Sequence, residues 1–185
     1  MVVDPDDPDG EERDDVRGVD RPLIGQWQVY VAYVSSFLTI GIIWINHHVM
    51  IGRLRETDRM ILFLNLLLLM SIGILPFATR LMAQYLKQPH GQHLAMAIYS
   101  GAFLVMGLCF SLLNRHILLV KSHLLAVDLP AEQRRRILVR SIGGVVPYAI
   151  ATVLAILSPY LTLAICLGLA IFYALPIGSG GSEEL

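Results

Sequence analysis

From Trp27 onward the chain alternates between uncharged apolar runs and short charged segments, and the runs are about as long as a bilayer's hydrocarbon core requires. The clearest is Met60–Thr79, twenty residues held between Arg59 and Arg80. A helix rises about 1.5 Å per residue, so about twenty apolar residues span roughly 30 Å. The pattern predicts five such helices. The first covers about Trp27–Asn46, with Trp27 and Tyr30 near one end and Trp44 near the other as interfacial aromatics. The second is Met60–Thr79, and the third is about Leu94–Asn114, closed by Arg115 and His116. The uncharged stretch Ser141–Ile177 is 37 residues long, too long for a single crossing. Ser158-Pro159 divides it, because proline removes a backbone donor and disfavours helix in the residue before it. The fourth span is therefore about Ile137–Leu157, with Arg140 snorkelling to the interface, and the fifth about Tyr160–Ile177. The fold class is an all-α integral membrane protein with five predicted transmembrane helices.

Composition adds a polar front to this picture. The chain is 55% hydrophobic and 16% charged, with a mean hydropathy of +0.62. Nine of its fifteen acidic residues lie at Asp4, Asp6, Asp7, Asp9, Glu11, Glu12, Asp14, Asp15 and Asp20. That segment has too little apolar surface to offset the entropy of ordering it. The expected organisation is a disordered acidic tail over 1–24, a helical transmembrane domain over 25–178 and a flexible tail over 179–185. Cys109 and Cys166 both fall inside predicted spans, where they act as small apolar residues, so neither a disulfide framework nor a zinc spacing is indicated.

Loop charges set the expected orientation. The loops after spans one and three carry Arg53, Arg55, Arg59, Arg115, Lys121, Arg134, Arg135, Arg136 and Arg140, nine cations. The opposite side has five: Arg13, Arg17, Arg21, Arg80 and Lys87. The basic loops and the C-terminus are therefore assigned to the cytoplasm. Five spans then place the acidic tail outside, an arrangement that a further helix upstream would explain more simply.

Polar residues inside apolar spans are the candidates for chemistry. His47 and His48 sit at the inner end of span one beside Trp44 and Asn46. They either belong to a polar network tying helices together or are imidazoles wetted at the membrane surface. Asn65 is an amide at membrane depth, where an unsatisfied polar group costs several kcal/mol, so it faces protein. Pro76 interrupts the hydrogen-bond ladder near the end of span two, and a terminal kink is the default reading. Ser35, Ser36 and Thr39 either line water or bond back to their own backbone, the latter being the simpler. Gly101 and Gly107, with Ala97 and Ala102, mark span three as a close-packing helix. The Arg134–Arg136 cluster mostly sets topology, with contact to anionic lipid as a secondary role.

Several absences narrow the function. The sequence has no Thr-Val-Gly-Tyr-Gly filter, no arginine-repeat voltage sensor and no Walker-type phosphate loop. Between Leu62 and Thr79, and between Leu94 and Asn114, the ionisable side chains are Tyr99 and Cys109 alone. Proton-coupled carriers keep a carboxylate or histidine at depth, so this pattern fits a pore gated by apolar side chains better. No carboxylate, serine or histidine constellation converges on one face, which speaks against an enzyme, and no cofactor or nucleic-acid partner is indicated.

Ser36–His48, SFLTIGIIWINHH, is followed after a basic loop by LNLLLLMSIGILPFAT at Leu64–Thr79. The pair resembles the second and third helices of the transmembrane protein 175 family, potassium-permeable channels of prokaryotes and animal endolysosomes. In that family an aromatic-x-Asn-His-His sequence ends the second helix, matched here by Trp44, Asn46, His47 and His48. The third helix begins with an Asn and reaches a Leu-Pro-Phe, matched by Asn65, Leu75, Pro76 and Phe77. The resemblance continues more weakly to about residue 177. It implies a homotetramer, potassium ions and the lipid bilayer as partners, and a pore-supporting network of Trp44, Asn46, His47, Asn65 and Pro76. The family's first helix, opening with Arg-x-x-x-Phe-Ser-Asp and supplying the apolar pore constriction, has no counterpart in the sequence. The expectation is a potassium-permeable channel subunit, N-terminally shortened. The alternative is a non-conducting or accessory membrane protein that assembles with a full-length relative.

Overall fold

The computed structural model describes residues 27–174. The tails expected over 1–24 and 179–185, and the last residues of span five, lie outside that range. Within it the chain forms α1 (Trp27–Gly52), α2 (Arg59–Tyr85), α3 (Gln92–Arg115), α4 (Ala131–Gly143), α5 (Val145–Leu154) and α6 (Pro159–Ala174). A π-helical turn, His116–Val120, prolongs α3, and a short 3₁₀ turn follows at Ser122–Leu124. Four helices among the described residues are long and apolar enough to cross a membrane, namely Val29–Gly52, Arg59–Tyr85, Gln92–Val120 and Ala131–Leu154, while Pro159–Phe172 is shorter.

The helices outrun the apolar runs that announce them. α1 and α2 hold 26 and 27 residues, about 40 Å each, and so project beyond a hydrocarbon core of roughly 30 Å. Pro76 is consequently internal to α2, with the helix running nine residues further to Tyr85, and is not a terminal feature. Its missing N–H leaves the Ile72 carbonyl without its ladder partner, a loss that transmembrane helices tolerate. The fourth predicted span lies mostly within Ala131–Leu154, long and apolar enough to cross as one unit, with a one-residue interruption at Gly144 that divides it into α4 and α5. Gly143-Gly144 favours a break, and Pro147 in the first turn of α5 needs no ladder donor. α4 carries the arginine cluster and buries none of its residues.

α3 is the centre of the bundle, packing against α2, α5, α4 and α6, and α1 packs against α6 and α2. Its buried face presents Met96, Tyr99, Phe103 and Met106. Phe103 meets Tyr99 edge-on at 5.0 Å and stacks on Tyr148 of α5 at 5.5 Å, both favourable ring arrangements. Lipid tails are as apolar as leucine, so helices associate through close packing and internal hydrogen bonds rather than hydrophobic exclusion. The faces follow that rule. α1 buries Ala32, Ser35, Ser36 and Thr39, small or hydroxylated residues one and two turns apart, while Tyr33, Phe37 and Trp44 stay exposed. α2 likewise leaves Leu62, Phe63, Leu66, Leu69 and Met70 about half exposed, a continuous apolar surface suited to lipid.

Candidate functional site

Two of the residues picked from sequence meet. α1 and α2 are antiparallel neighbours joined by a six-residue loop, which brings His47, near the end of one, level with Asn65, in the second turn of the other. The His47 imidazole Nε2 lies 2.6 Å from the Asn65 carboxamide oxygen, both side chains being half-buried. Nε2–H donates, and the amide that would otherwise be costly in lipid has its partner. The other candidates sit apart from this pair. Trp44 is exposed and stacks on His48 one turn on, at 5.8 Å. Asn46 is exposed and donates to the Ile42 carbonyl of its own helix at 2.9 Å. Pro76 is exposed on α2, eleven residues beyond Asn65.

Sequence reading missed a second polar knot, deeper in the bundle, that ties three helices. Ser36 Oγ on α1 lies 2.8 Å from Thr79 Oγ1 on α2 and 3.3 Å from the Tyr99 hydroxyl on α3. Ser36 and Tyr99 also reach the Ala32 carbonyl at 2.8 and 3.1 Å, and Thr79 reaches the Leu75 carbonyl at 2.8 Å. Three hydroxyls hold three protons for these five contacts. Tyr99 donates to Ala32, Ser36 alternates between Ala32 and Thr79, and Thr79 alternates between Leu75 and Ser36. All three side chains are buried. The signal in the sequence was the need of a phenol inside an apolar span for a partner. Back-bonding of Ser36 and Thr39 to carbonyls four residues earlier does occur, but for Ser36 it is only part of the role.

At the basic end, the loop after α1 is fastened to the segment after α3. Leu54 pairs with Leu125 through a single antiparallel bridge, with Arg55 N–H donating to the Leu124 carbonyl and Ala126 N–H to the Arg53 carbonyl, each at 2.8 Å. Asp58 caps α2 by accepting from Ile61 N–H at 2.8 Å and pairs with Lys121 at 3.0 Å. The backbone hydrogen bond from Ile61, then the Lys121 ammonium, hold its carboxyl below the ordinary value. Among the described residues no three His, Cys, Asp or Glu side chains gather as a metal site.

This bundle has known counterparts. Residues 1–76 match the family described as TMEM175, endosomal/lysosomal potassium channel. A protein of Streptomyces collinus named a potassium channel is 40% identical over 158 residues, covering 84% of this chain and 75% of its own length. A Chamaesiphon minutus protein, also named a potassium channel, is 32% identical over 164 residues, 85% of this chain and 77% of its own. Among solved structures, a lysosomal potassium-selective channel TMEM175 homolog from Chamaesiphon minutus superposes with a TM-score of 0.77 at 29% identity, over 90% of this chain and 82% of that one. The resemblance first carried by Trp44–His48 and Leu75–Phe77 thus extends through most of the helical bundle, and this integral membrane protein belongs to the TMEM175 family.

Proposed function

We propose that the chain is a subunit of a potassium-permeable channel, a homotetramer whose pore is closed by apolar side chains rather than by a charged filter or a catalytic site. The observation that carries this reading is the match over 90% of the chain to a solved potassium-selective channel homologue. The packing of one subunit supports the tetramer. Its centre is filled by Met96, Tyr99, Phe103 and Met106, so a water-filled path for an ion falls between subunits instead. The His47–Asn65 pair then serves as a support, fixing α1 against α2 so that the helices bordering the pore keep their register. Trp44 and Asn46 flank that support on α1, and Pro76 lies eleven residues further along α2.

Reconstitution of the purified chain into liposomes tests the proposal, with potassium efflux read against empty vesicles. Efflux well above that background, with a much smaller proton flux, is the expected result. Animal relatives lend the proton arm its interest, since a chicken protein named an endosomal/lysosomal proton channel is 36% identical over 63 residues, 34% of this chain and 13% of its own. Efflux no greater than from empty vesicles would favour the accessory reading, in which the chain assembles with a full-length relative.

A further inference from the structure

We propose that the cleft between α1, α3, α4 and α5 is a binding site for one anionic glycerophospholipid, with the headgroup at the basic end and an acyl chain along the inner wall. The cleft encloses about 570 Å³, within the range of small-molecule sites. Its two ends differ in chemistry. Arg53, Arg136 and Arg140 line one end, and among the described residues the lining includes no Asp or Glu. Glu132, four residues before Arg136, pairs with it at 3.4 Å with both side chains mostly in solvent, too loose a contact to neutralise it, and Glu56, three residues from Arg53, is exposed. The other end is apolar, walled by Phe103, Met106 and Tyr148 among others.

The orientation agrees with a membrane. From Arg53 to Thr39, the deepest α1 residue in the wall, is fourteen residues, about 21 Å along a helix. One leaflet of the hydrocarbon core is roughly 15 Å deep, so the cleft runs from headgroup level down the length of an acyl chain. Gly144, the one-residue interruption between α4 and α5, forms part of the wall. Asn114 lines the same basic end, is 4% exposed, and its carboxamide oxygen has no hydrogen-bond partner among the described residues. What this acceptor lacks is a donor, and the free hydroxyls of a headgroup such as phosphatidylglycerol, beside its phosphate, would supply one.

Native mass spectrometry of the full chain in detergent tests this, using phosphatidylglycerol and phosphatidylcholine with identical acyl chains. One phosphatidylglycerol retained per subunit, at least tenfold preferred over phosphatidylcholine, is expected. The double variant R136Q/R140Q should weaken retention by roughly 30-fold, as removal of two cations at a membrane surface does. R135Q, on the same helix but outside the cleft, should change it less than twofold. Both arginines of the double variant are exposed, so the variants fold, and unchanged elution in size-exclusion chromatography checks that. Equal retention of the two lipids, or an equal loss in R135Q, would overturn the site in favour of a diffuse basic surface. Full displacement by millimolar inorganic phosphate would overturn it in favour of a plain anion site. A wild-type chain that retains no lipid would mean that protein fills the cleft.

Discussion

His47 and Asn65 are each ordinary residues at a membrane surface until they meet, and their 2.6 Å contact makes them one unit. Interhelical hydrogen bonds in membrane proteins contribute on the order of 0.6 kcal/mol, with about 1.7 at the upper end. His47→Ala and Asn65→Ala should each lower stability by about 1 kcal/mol, and the double variant by little more than either. Titration of the folded fraction against a denaturing detergent reads this directly, and strict additivity would mean that the pair is not coupled. If the pair supports the pore, His47→Ala should also weaken the tetramer or alter current. Unchanged assembly and current would leave it an interfacial histidine. In the second knot, Tyr99→Phe removes a hydroxyl that reaches both Ala32 and Ser36, for an expected loss of about 1 kcal/mol. The sequence made His47 and Asn65 visible as polar residues out of place, but not that each was the other's answer. Ser36, Thr79 and Tyr99 were harder still. Tyr99 lies 63 residues from Ser36, and no local spacing encodes a contact that only the bundle creates.

Helices were legible where charge stops and starts, because the cost of burying a charge in hydrocarbon forces long uncharged runs. Their ends were not, since a helix has no reason to stop at the edge of the membrane. α2 carries Arg80 and continues to Tyr85, which turns Pro76 from a terminal residue into an internal one. The division of α4 from α5 was written in Gly143-Gly144 and Pro147, inside a stretch whose hydropathy gave no hint of it. Small residues on α3 are a clearer case. A methyl group placed on Gly107 would meet Val145 of α5 at 3.6 Å and one on Gly101 would meet Thr152 at 3.9 Å, both ordinary contacts. Gly107→Ala should therefore stay within about 0.5 kcal/mol of wild type, whereas Gly107→Leu should force α3 and α5 apart at a cost of roughly 1–3 kcal/mol. Equal tolerance of both in the same detergent titration would deny the close approach. Asp58 ties an element end to a loop. Its carboxyl titrates lower folded than unfolded, so its contribution is present above the ordinary carboxylate pKa of about 3.9 and fades as pH falls through the lower folded value. Asp58→Asn should lower the melting temperature by a few degrees at pH 7, and the difference should shrink below pH 4. A constant difference down to pH 3 would contradict the charge-based role.

At the scale of the whole molecule, outward apolar faces, small and hydroxylated inner faces and a filled centre describe a chain built to stand in lipid. Membership in the TMEM175 family accounts for the arrangement of α1 to α6, and the relatives' names supply the ion. The fold class and the family were open to sequence because both rest on runs of residues. The proposed tetramer and its pore came only through the family resemblance, because they would depend on surfaces that a single chain presents to its copies. Potassium flux is therefore the measurement on which the functional reading turns. The chain, purified alone and placed in liposomes loaded with potassium, should release it well above the rate of empty vesicles, with efflux altered by His47→Ala. Vesicles that hold their potassium as tightly as protein-free controls would contradict a conducting homotetramer and leave the chain an accessory subunit.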